Sequence, residues 1–143
     1  MKIHGSWKLS VVCNDTMLVR VFGAWNKEAS EAFADEFKQI SRPLIDKPWA
    51  LVVCMQYGEL VVPEAISVLE ALNQWAINNN CRREANVVKY QIHNHLIDHT
   101  RGNDVNEYVQ RSFTEMAEAI SYLKSQGFAD SLSVSNAEQA LSE

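Results

Sequence analysis

A chain of 143 residues, 47% apolar and 22% charged, has the makeup of one ordinary globular domain, able to bury about two-thirds of the surface its unfolded form exposes. Its net charge of −5, with Arg82–Arg83 as the largest basic cluster, excludes broad binding to nucleic acid or anionic membranes, since both need a basic face. No apolar run approaches the ~20 residues of a spanning helix, so no integral membrane segment is expected, and residues 1–4 lead into a strand pattern rather than a secretory signal.

Residues 5–13 alternate, with Trp7, Leu9, Val11 and Cys13 on one side and Ser6, Lys8 and Ser10 on the other, the pattern of a half-buried strand. Asn14–Asp15 is a connection tolerant of positive φ, and residues 16–23 then form a second strand. The two make an antiparallel hairpin. Asn26 caps a helix with Glu28 in its first turn. Ala29, Phe33, Phe37, Ile40 and Leu44 follow at helical spacing, while Lys27, Glu31, Asp35 and Lys38 face away.

Pro48–Trp49–Ala50–Leu51–Val52–Val53–Cys54–Met55 is an uninterrupted apolar run between two amphipathic helices. It is too short for a membrane span and bounded by Pro48 and Tyr57–Gly58, so it reads as a central strand buried on both faces. Leu60–Val61–Val62 reads as an apolar loop at its C-terminal end. Pro63 suits a first helical position, and Ala65, Val68, Leu69, Leu72, Trp75 and Ala76 form one apolar arc that stops at a left-handed cap in Asn78–Asn79–Asn80.

A fourth strand is expected at 85–92, bounded by Arg82–Arg83–Glu84. Asp104 and Glu107 have capping-box spacing, and the longest helix is expected from there. Its stripe is Val105, Tyr108, Val109, Ser112, Phe113, Met116, Ile120 and Leu123, closed by Gly127. The tail, 129–143, is a short helix after Asn136 or a frayed end. No linker or repeat interrupts 1–143, which reads as a single domain.

The order β-β-α-β-α-β-α predicts an α/β fold: a mixed sheet of four to five strands with an antiparallel N-terminal hairpin and flanking helices. Right-handed crossovers put the first two helices on one face. The opposite face then has to be covered by the third helix, the tail or a partner chain.

This order, with Phe22–Gly23–Ala24–Trp25–Asn26 after the hairpin and Pro48–Trp49–Ala50–Leu51–Val52–Val53 opening the central strand, resembles the STAS-like branch called SpoIIAA-like. STAS domains are sulfate-transporter and anti-sigma-factor-antagonist modules, and some relatives are grouped with Sec14-like lipid-binding proteins. The resemblance spans roughly residues 5–127 and implies a regulatory module that works through protein contact. In anti-sigma antagonists the helix after the central strand opens with an Asp-Ser pair, whose phosphorylated serine repels the partner. Met55–Gln56–Tyr57–Gly58–Glu59–Leu60–Val61–Val62–Pro63–Glu64–Ala65 has neither residue, and Ser67 lies a turn too far. The phospho-switch is therefore not carried over.

Open α/β sheets bind ligands beyond the C-terminal ends of their strands. Trp25, Asn26, Tyr57, Leu60, Val61 and His93 are the candidate binding residues there: aromatic and aliphatic walls with polar groups to orient a ligand or partner. For Trp25 the alternative is an indole that closes the core. His93, His95 and His99 form the sharpest polar constellation, because His95 and His99 share a helical face and could hold zinc. No glutamate follows His95 as in a metalloprotease, and a hydrogen-bonded loop accounts for the cluster as well.

Cys13, Cys54 and Cys81 are odd in number and unpatterned, as expected of reduced cytoplasmic thiols. Cys54 lies in an apolar strand, and Cys81 has no visible base beside it. No GxSxG, P-loop or GxGxxG occurs, so no catalytic residue and no cofactor is nominated. The expectation is a non-catalytic cytoplasmic module for a protein partner or a small apolar ligand, with an exposed first strand that permits a homodimer.

Overall fold

The computed structural model describes residues 5–88 and 107–142, with the backbone alone for 56–61. Among the described residues five strands form one mixed sheet in the order β1-β2-β3-β4-β5. β1 (Ser6–Val12) runs antiparallel to β2 (Thr16–Trp25), and β3 (Trp49–Val61), β4 (Cys81–Val87) and β5 (Val109–Phe113) continue parallel to β2. Among the described residues the helices are α1 (Lys27–Ile40), α2 (Pro63–Asn78), α3 (Met116–Ser125) and α4 (Val134–Ala140), and a 3₁₀ turn, Arg42–Leu44, follows α1. Among the described residues no helix is long and apolar enough to cross a membrane.

Alternation along β2 and β3 sorts the core into two layers. Met17, Val19, Trp49 and Leu51 meet Phe33 and Phe37 of α1 and Leu72, Ala76 and Ile77 of α2. On the opposite face Leu18, Ala50, Val52, Cys54, Ala85 and Val87 meet Ala119, Ile120 and Leu123 of α3 and the tail's Ala137 and Leu141. Over Trp49–Met55 the central strand is thus packed on both sides, and the second face is covered by α3 and α4.

Local signals act where the sequence places them. The Asn26 side chain accepts from the Ala29 N–H at 2.9 Å, which satisfies one of the free donors opening α1. Asn80, at φ 76°, supplies the left-handed residue after α2. The hairpin turns one residue earlier than Asn14–Asp15 suggests. Cys13 and Asn14 carry the positive φ values, 56° and 61°, and the Asp15 N–H closes the turn on the Val12 carbonyl. The Asp15 carboxylate is thereby freed to accept from the Thr16 hydroxyl (2.8 Å) and from the Ala129 N–H (3.2 Å).

The long helix expected from Asp104 is corrected. Glu107 sits at φ 61°, outside any right-handed helix, and residues 109–113 form β5 against β4. The expected stripe is divided between two layers: Tyr108 lies in the core under α2, whereas Met116, Ile120 and Leu123 lie on the α3 face. A single helix cannot serve both. Strand pairing also satisfies the outer backbone groups of β4, which a helix would leave open. Asp104 and the 89–92 end of the expected fourth strand lie outside the described residues.

Candidate functional site

Among the described residues β3 pairs with β2 as far as Val61 opposite Trp25 and with β4 as far as Cys54 opposite Val87. Register shifts between Arg20 and Phe22 and between Gly23 and Trp25 bend the β2–β3 pairing. The loop expected at Leu60–Val61–Val62 is therefore corrected: Leu60 and Val61 belong to β3, and only Val62 lies beyond it. The Val62 N–H donates to the Trp25 carbonyl at 3.1 Å, and Pro63 opens α2 where no donor is needed. Val62 itself is 39% exposed, an apolar side chain at the surface.

Trp25 turns inward. Its ring centroid lies 5.4 Å from that of Trp7 and 5.1 Å from that of Phe33, and its indole N–H donates to the Phe22 carbonyl at 2.8 Å. Gly5, at φ +100°, passes so close that a Cβ there would stand 2.4 Å from Trp25 Cδ1. Trp25 closes the core, and Asn26 is spent on the cap of α1. Tyr57 is paired opposite Phe22, which sets the backbone of Tyr57, Leu60 and Val61 along the same strand end. His93, His95 and His99 lie outside the described residues. Among the described residues no group of three metal-binding side chains converges.

A connected polar cluster lies elsewhere among the described residues. Glu84 of β4 is buried and accepts from the Tyr108 hydroxyl at 2.7 Å, from Gln110 Nε2 at 2.6 Å and from Asn73 Nδ2 at 3.3 Å. One carboxylate so ties α2, the entry to β5 and β5 itself to the sheet. Burial, reinforced by the Glu84 charge, pushes the Tyr108 hydroxyl well above the ordinary phenol range. The Cys81 thiol is likewise pushed up, first by burial and then by Glu84, and Arg82 offsets this only in part. Neither is a nucleophile near neutral pH. In the sequence Glu84 has the look of a boundary charge, and its one signal is an acid set directly before the largely apolar stretch Ala85–Asn86–Val87–Val88. Asn86, two residues on, is fully buried, and its side-chain amide has no hydrogen-bond partner among the described residues.

Between α1 and α2 an open groove of about 400 Å³ reaches the surface. Glu31, Asp35 and Lys38 edge it on α1, Ser67 edges it on α2, and Ala34 and Ala71 contribute short side chains within it. The Ser67 hydroxyl donates to the Glu64 carbonyl at 3.1 Å, one turn into α2.

No protein-family model and no curated protein sequence matches this chain. Solved structures do. An uncharacterised protein from Shewanella loihica with a SpoIIAA-like fold superposes with a TM-score of 0.64 at 13% identity, over 86% of this chain and 97% of its own. An anti-sigma factor antagonist from Mycobacterium paratuberculosis gives 0.59 at 15% identity, over 84% and 94% of the two chains. Unphosphorylated SpoIIAA, also an anti-sigma factor antagonist, gives 0.59 at 10% identity, over 84% and 97%. The chain has the STAS-like, SpoIIAA-like α/β fold.

Proposed function

We propose that this chain is a non-catalytic, cytoplasmic binding module that acts by contacting a protein partner. The observation that carries the reading is the fate of Trp25. Packed against Trp7 and Phe33 with its N–H already used, it does not present the aromatic wall that an apolar-ligand pocket would take from it. What the fold offers outward is surface. The proposed contact region is the strand end that carries Tyr57, Leu60 and Val61, continued by exposed Val62 at the opening of α2. Two of the similar structures are described as antagonists of anti-sigma factors, that is, of proteins. The fold likeness alone does not transfer that activity; it makes protein contact the first mode to test.

The test is native mass spectrometry of the protein purified gently from its own cells, with partner capture in parallel. Val62→Asp is expected to weaken capture of a specific partner by about tenfold or more, as for an apolar contact at an interface centre. Its melting temperature should not fall, because Val62 is exposed and an aspartate at this N-cap of α2 can accept from the first-turn N–H groups. A small molecule released on denaturation, with no partner captured, overturns the reading in favour of a ligand carrier.

A further inference from the structure

We propose that the groove between α1 and α2 receives about two turns of a partner's helix bearing lysine or arginine beside a small or aliphatic side chain. The proposal rests on the protein-contact reading above and names the chemistry of the partner.

Shape is the first argument. Residues 31, 34, 35 and 38 of α1 line the groove, as do 67, 68, 71 and 72 of α2. Each set is one face of a helix over two turns, which gives a trough about 10 Å long. Ala34 is 8% exposed and Leu72 6% exposed, so the floor is the outer skin of the core. The short side chains of Ala34 and Ala71 leave room that larger residues would fill. A partner side chain can enter there without displacing anything.

Charge is the second argument. Glu31 and Asp35 stand at the α1 rim. At helical spacing Lys27 and Glu28 continue that rim toward the N-terminus of α1 with opposite charges, and Glu64 continues the α2 stripe. Lys38 is the one cation of the lining, and its ammonium lies over the Trp75 ring, 5.8 Å from the centroid. The middle of the groove, at Glu31 and Asp35, is thus acidic, with Lys38 held at one end and Lys27 one turn beyond the other. Positive helix N-termini offset Glu28 and Glu64 in part and do little for Glu31 or Asp35, since the dipole acts within the first turn. A basic helix complements this rim, and an acidic one is repelled by it.

The experiment is fluorescence anisotropy on the full chain with two designed peptides of about sixteen residues, long enough to be helical alone. One carries an Ala/Leu stripe flanked by lysines, and its twin has glutamate at every lysine. The wild type is expected to bind the basic peptide about tenfold or more tighter than the twin. Ala71→Phe fills the trough without changing charge at an exposed position; it should cost about tenfold in affinity with an unchanged melting temperature. The double variant Glu31→Gln/Asp35→Asn should lose several-fold in low salt, and that deficit should fade near ~0.5 M salt. No binding to either peptide, equal binding of the twins, or an Ala71→Phe protein that binds like wild type overturns the proposal. A cellular partner lost on Val62→Asp but kept on Ala71→Phe leaves the protein-contact reading standing and removes the groove from it. Absence of any cellular partner defeats the wider reading, and the peptide discrimination decides the groove separately.

Discussion

The two faces of the sheet reach the same burial by different means. Under α1 and α2 the filling is aromatic: Trp7, Trp25, Phe33 and Phe37 form a chain that branches at Phe37 to Trp49 and Trp75, with contacting ring centroids no more than 6.3 Å apart. Under α3 and α4 the filling is small and aliphatic, with Ala50, Ala85, Ala119, Ala129 and Ala137 set among Leu123, Leu132 and Leu141. Rings supply bulk, so that face is sensitive to removal. Alanines supply closeness, so the other face is sensitive to enlargement.

The comparison can be broken most directly at Trp49, which is fully buried and hydrogen-bonded through Nε1 to the Asn79 carbonyl. Trp49→Ala should cost about 3–5 kcal/mol, read as a lower urea midpoint. On the other face Ala119→Leu should cost about 1–3 kcal/mol by overpacking. The same small-to-large change at exposed Ala71 should leave stability nearly untouched. If Ala119→Leu is neutral, the α3 layer is looser than its alanines imply.

Alkaline pH sharpens the contrast, because Cys81 and Tyr108 both lie in the aromatic layer. Both hold their protons in the folded chain to higher pH than in the unfolded one. Their contribution is therefore complete below the unfolded values, about 8.5 for a thiol and about 10 for a phenol. It is lost as pH climbs beyond them toward the folded values. Each group should remove about 1.4 kcal/mol per pH unit in that window, seen in urea midpoints between about pH 8 and 11. Tyr108→Phe should flatten the upper part of that slope. A modest effect is expected at the entry to α1, where Asn26→Ala should cost about 1 kcal/mol through the lost cap, measured as a small drop in melting temperature.

Much of this fold was legible because its signals are local. The apolar run from Trp49 to Met55, the cap at Asn26 and the left-handed residue at Asn80 each declare themselves within a few positions. The segment around Tyr108 misleads because positions 108, 109, 112 and 113 fit a helical stripe, while residues 109–113 serve equally as a short strand. What decided it was the unpaired edge of β4, a distant partner that no window of sequence contains. The candidate site was less legible for the same reason. Nothing near Trp25 announces that Trp7, Phe33 and Gly5 will close around it. Nothing near Glu84 announces its tyrosine, glutamine and asparagine either.

The Asp15 carboxylate, seated on the Ala129 N–H, joins residues 114 positions apart, and Arg20 joins the Leu141 carbonyl across 121. These ties bind the first hairpin to the last helix, so their loop-closure entropy is met only when nearly the whole sequence is present. Such long-range closure slows folding. During synthesis the hairpin and the α1/α2 layer can assemble first, with the alanine-lined face open to water until the final helix arrives. That interval is when the chain is most exposed to aggregation, and it is where a chaperone would have something to hold.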